Sequence, residues 1–160
     1  SHQWQWRLPD WAAAATAGLV GGAVLMVLEL LWQATVSGSS PWRASHLIAA
    51  IVMGPDAQAS AGFDVRVVAV ALLTHYVLGI VFGLVLAAVI AGFHYEANPG
   101  VLQLIGVVFG SALYLLNFHG MAYFFPWMAE LRGWATFIGH LVFGLTVVMT
   151  YRQLHRRSDT

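Results

Sequence analysis

Apolar residues fill four long stretches of this chain, at about 11–33, 67–92, 101–123 and 133–151, and polar residues collect between them. Each stretch reaches or approaches the roughly 20 residues a helix needs to cross a bilayer. Pro9 and Asp10 introduce the first run. It has no small-residue cleavage pattern at its end, so it reads as a retained helix and not as a signal peptide. A shorter run at 41–53 opens at Ser40–Pro41, a helix start signal, and closes at Gly54–Pro55. Being too short to span, it predicts a helix that lies at the interface or dips in partway. Residues 56–65 read as an exposed connection. The short turn at 94–100 predicts that the second and third long helices are antiparallel neighbours.

The two halves of the pattern repeat. Gly18-Leu-Val-Gly-Gly22 aligns with Gly106-Val-Val-Phe-Gly110, and the same offset sets Glu29 opposite Asn117. Each segment is followed by a Pro-Trp pair, Pro41–Trp42 and Pro126–Trp127. Further on, His75-Tyr-Val-Leu-Gly79 matches His140-Leu-Val-Phe-Gly144. The expected architecture is therefore an all-α integral membrane protein. It has four transmembrane helices from a duplicated two-helix hairpin, plus the interfacial helix, in a single domain over 1–160. Repeats of two helices are related by an axis along the membrane normal. His75 and His140 would then lie at one depth.

Composition sharpens this. Hydrophobic residues make up 59% of the chain and charged residues 9%, with a mean hydropathy of +0.74. Soluble domains carry about 25% charged residues, so the outer surface must be apolar and the partner solvent is the lipid bilayer. Formal net charge is zero, which gives no reason to expect nucleic acid. The absence of cysteine removes disulfides, thiolate metal sites and iron–sulfur clusters. The seven tryptophans fall mostly near helix ends, as an interfacial belt does. All seven basic residues are arginines. Arg7, Arg152, Arg156 and Arg157 outnumber Arg43, Arg66 and Arg132, so both termini are expected on the cytoplasmic side.

Against this background a few polar side chains stand out, because polar groups at membrane depth are costly and usually functional. Glu29, Asn117 and His119 are candidates for a proton relay or polar core, since a carboxyl there must be protonated or paired. It could equally be a wetted residue near Trp32. His75 and His140 each share a helix face with glycines four residues on. Close helix packing explains that spacing. So does a haem b held between the two imidazoles, although no arginine stands near either for the propionates. A non-haem metal on Glu29, His75, His119 and His140 is a further reading. However, the Glu-x-x-His spacing of di-metal bundles is missing, and His119 lies about 200° round the helix from Asn117. His2, His46, His94 and His155 read as ordinary polar residues of tails and connections.

No nucleophile elbow, phosphate-binding loop, dinucleotide fingerprint or zinc-protease motif occurs, so a stand-alone enzyme is not expected. The general pattern is similar to that of small bacterial four-helix membrane proteins, with no motif that singles out a family. That likeness implies the bacterial inner membrane. Three functions follow as expectations. The first is an accessory subunit of a larger membrane complex, respiratory or otherwise electron-transferring, whose larger subunits dock on glycine and alanine surface. The second is a haem b or metal electron-transfer protein using His75 and His140. The third is a small proton-coupled carrier or pore using Glu29, a homo-oligomer because four helices leave little internal space.

Overall fold

The computed structural model describes Trp4, residues 6–95 and residues 98–158. His2, and Glu96 and Ala97 of the expected turn, lie outside the described residues. Five α-helices follow one another: α1 (Trp11–Trp32), α2 (Arg43–Met53), α3 (Val65–Phe93), α4 (Pro99–Leu115) and α5 (Trp134–Ser158). Four are long and apolar enough to cross a membrane, α1 and α4 through the wider turns that prolong them, whereas α2 has only 11 residues. The chain is thus helical and built as an integral membrane protein is. α5 runs past the expected end at 151 and carries the arginine cluster on helix.

Local chemistry sets the boundaries. Asp10, Asp64 and Asn98 accept backbone N–H groups at the starts of α1, α3 and α4, which otherwise have no helical partner. Gly54 ends α2 at φ 102°, a conformation glycine takes without penalty. α1 and α4 both loosen into five-residue π-helical turns, Gln33–Ser37 and Leu116–Gly120. Asn117 lies in the second.

Helix pairing follows the glycines. Gly18 of α1 meets the backbone of Gly79 and Gly83 on α3, and Gly106 and Gly110 of α4 meet Gly144 and His140 on α5. Without a β-carbon on either side, backbones approach closely, which substitutes for a hydrophobic driving force in lipid. α1 also packs on α5, with Gly21 against Phe143 and Val147 and Gly139 against Leu25. The in-plane order is therefore α3–α1–α5–α4. Among the described residues α3 and α4 share no extended interface, which corrects the expectation that the short turn makes them packing neighbours. Connection length limits separation, while the glycine faces choose the partner.

At one end of the bundle the lead into α1 meets α5 and the end of α3. Asp10 N–H donates to the Tyr151 hydroxyl at 3.2 Å, and Arg7 reaches His94 at 2.7 Å. At the other end α2 and the 3₁₀ turn Pro126–Leu131 form a cap over a second apolar cluster that includes Leu47, Phe118 and Met128.

Candidate functional site

Because α3 and α4 do not close on each other, a cavity of about 70 Å³ remains between them, under the cap. Four polar side chains line it, one from each long helix: Glu29 (α1), His75 (α3), Asn117 (π turn after α4) and His140 (α5). Phe82, Phe118 and Phe143 supply apolar walls. The sequence singled out all four polar residues but could not show that they converge. His119, named with them, is exposed and touches the ring of Tyr114 instead, as its angle from Asn117 requires.

Hydrogen bonds fix the histidine tautomers. His75 Nε2 lies 2.6 Å from the Gly22 carbonyl oxygen across the α1–α3 contact. A carbonyl only accepts, so Nε2 carries the proton and Nδ1 is the acceptor of the neutral ring. His140, 4% exposed, places Nδ1 at 2.9 Å from its own helix at Thr136 O. Its Nε2 is thus an acceptor, and the Asn117 amide nitrogen faces it at 3.4 Å. That leaves Asn117 Oδ1 buried without a hydrogen bond. His75 and His140 line the same cavity.

Glu29 has no hydrogen bond or ion pair among the described residues. It borders the central cavity and two more: one of about 220 Å³ between α1 and α5, one of about 200 Å³ between α1, α2 and α3. The carboxyl therefore borders three cavities, one of which Trp32 also lines.

A haem b does not fit this arrangement. Drug-sized ligands already require about 300–1,000 Å³, far above the 70 Å³ here. His75 Nε2 and His140 Nε2 are both engaged, and no arginine lines the space. Nor do three metal-binding side chains come together among the described residues.

The cap is tied from several directions. Arg43 pairs with Glu130 through two bonds, Nε–Oε2 at 2.7 Å and Nη2–Oε1 at 2.9 Å, and also donates to the Gln58 and Ser60 carbonyls. The hydrogen bond from Arg43 holds the Glu130 carboxyl below its ordinary value and raises the guanidinium above its own. Trp127 Nε1 donates to Leu47 O at 2.9 Å. His46, expected to be an ordinary polar residue, is 3% exposed and lies between the carbonyls of Ala57 (2.9 Å) and Gly62 (2.7 Å). It staples the 54–64 connection to α2. Its only sequence signal was its place beside Leu47, Ala49 and Ala50 on the buried side of α2.

The fold and site together define an all-helical membrane-type protein with a capped, acid- and histidine-lined cavity. Comparison with protein-family models, with curated proteins and with solved structures finds no match to the chain.

Proposed function

We propose that this chain is a small proton-coupled membrane carrier that works through Glu29. The observation that carries this is the convergence of Glu29, His75, Asn117 and His140, from four helices, on one cavity. With no cationic side chain on its lining, a negative charge at Glu29 has to be compensated by what the cavity admits, a proton included. Burying an uncompensated charge is prohibitive, so protonation and occupancy are coupled at this carboxyl. The neighbouring histidines supply acceptor nitrogens within the same space, and the π turns at Gln33–Ser37 and Leu116–Gly120 give α1 and α4 local give beside it.

The accessory-subunit reading ranks behind this one. Part of its physical ground was glycine and alanine surface for docking other helices, and of that surface Gly18, Gly79, Gly83, Gly106, Gly110 and Gly144 are buried against neighbouring helices of this same chain. The haem b or metal electron-transfer reading ranks lower still, since the cavity is small for a haem and, among the described residues, no three His, Asp or Glu side chains stand close enough to hold one metal ion.

The architecture behind the carrier reading is a duplicated hairpin, α1–α3 and α4–α5. Its support is the matching contacts: Gly18 on Gly79 corresponds, at the repeat offsets, to Gly106 on Gly144. α2 is taken as an interfacial helix, short and bonded through Arg43 and His46 to the polar connection. We place the protein in a bacterial inner membrane with both termini cytoplasmic, and as a homo-oligomer.

The test is proton flux. The full chain in liposomes should dissipate an imposed pH gradient, read with an entrapped pH dye, and Glu29→Gln should abolish that flux. Undiminished flux in the variant refutes the proposal. Native mass spectrometry from mild detergent separates it from the accessory reading: a lone chain or homo-oligomer supports a carrier, whereas added mass of large subunits does not.

A further inference from the structure

We infer that the cavity is a binding site for a small amine-type cation, of the class of ammonium and methylammonium; this rests on the carrier reading and names its substrate class. The unpaired polar atoms in and beside the cavity are acceptors. Asn117 Oδ1 is buried without a partner. The Glu29 oxygens make no hydrogen bond among the described residues. His75 donates from Nε2 to Gly22, which leaves Nδ1 as an acceptor. One turn beyond Glu29, Gln33 Oε1 is likewise buried and unpartnered, in the groove between α1 and α5 that Glu29 also lines.

The donors, by contrast, are occupied. The His140 N–H is held by Thr136, and the Asn117 amide faces His140. No lysine exists in the chain. Arg43 is committed to Glu130 and two carbonyls, Arg132 donates to Phe118 O, and neither lines the cavity. An anion entering here meets a carboxyl and, as donor, no more than the second N–H of the Asn117 amide. A cation bearing N–H groups meets a carboxyl, an amide oxygen and an imidazole nitrogen. The rings of Phe82, Phe118 and Phe143 share the lining, and an aromatic face turned to the space would attract a cation at close range. A bare metal ion is less well served, since among the described residues no three His, Asp or Glu side chains stand close enough together to hold one ion. Size agrees: about 70 Å³ holds a few waters or one small ligand.

Titration calorimetry on the purified full chain in detergent tests this with methylammonium chloride, using sodium chloride and sodium acetate as comparators. Saturable heat with methylammonium alone is the expected result. Glu29→Gln should weaken it by about tenfold or more, as loss of a charge-assisted bond does, and Asn117→Leu should weaken it severalfold. Leu104→Ala, on the exposed face of α4 and off the cavity lining, should leave it unchanged. Binding of acetate, or equal heats for sodium and methylammonium, overturns the inference. If methylammonium gives no heat while Glu29-dependent proton flux persists, the substrate class is wrong and the carrier reading stands. If flux is also missing, both fall.

Discussion

Gly18→Ala is the substitution for which the structure gives the clearest magnitude. Inside a helix, alanine is favoured over glycine by about 0.5–1 kcal/mol, so propensity alone predicts stabilisation. The added methyl at position 18, however, would overlap the Gly79 carbonyl oxygen and lie 3.0 Å from Gly79 C and Ile80 Cα. These are backbone atoms and cannot rotate aside, so α1 and α3 must separate. Overpacking of this kind costs about 1–3 kcal/mol, and separation also strips the contact of Gly83 with Ala14 and Gly18. The net expectation is a loss of about 1–2 kcal/mol. Gly22→Ala is the internal control one turn on, since its methyl would sit 3.6 Å from His75 Nε2 and no closer to anything else. That is ordinary contact, and stability should be unchanged or slightly raised. Unfolding in mixed micelles on titration with sodium dodecyl sulfate, followed by tryptophan fluorescence, compares the two. Gly144→Ala, whose methyl would overlap Gly106 O, should behave like Gly18→Ala if the two hairpins are equivalent. Equal tolerance of Gly18→Ala and Gly22→Ala would refute the reasoning that the glycine face holds α1 to α3.

Three further outcomes are expected. Glu130 is held below its ordinary 4.5 by the hydrogen bond from Arg43; its contribution is complete above that value and is lost as pH falls through the depressed folded value. With Glu130 49% exposed, this amounts to about 0.5 kcal/mol after solvent screening. Lower protection against hydrogen exchange, relative to the intrinsic rate at each pH, in residues 54–64 and 126–133 on acidification, absent from Glu130→Gln, is the reading that checks it. His46→Leu should leave the half-buried Ala57 carbonyl and the exposed Gly62 carbonyl without the ring that faces them, a loss of about 1 kcal/mol, seen as rapid exchange confined to the 54–64 connection. Asn117→Leu removes one orphan acceptor, Oδ1, and creates another at His140 Nε2, so thermal stability should move by less than about 1 kcal/mol while proton flux falls. A large stability loss would instead assign Asn117 a structural role.

The sequence by itself determined the spanning helices and, apart from the carboxy end of α5, their approximate limits, because apolar run length and capping residues are local properties. Asp10, Asp64 and Asn98 mark helix starts that can be read without any tertiary knowledge, and Gly54–Pro55 stops α2. It also brought forward Glu29, His75, Asn117 and His140, since a polar side chain inside an apolar run is conspicuous wherever it points. What it could not decide is which helix faces which. The short turn at 94–100 pointed to α3 beside α4, yet close backbone contact at Gly18–Gly79 and Gly106–Gly144 pairs α3 with α1 and α4 with α5. That choice opens the space that becomes the cavity, and the rotation of α4 sends Asn117 inward and His119 outward. His46 shows the same limit from the other direction. Its burial depends on the carbonyls of Ala57 and Gly62, which only a folded connection brings to it. Local composition fixes where each segment lies relative to lipid; only the meeting of surfaces from distant segments fixes what they enclose.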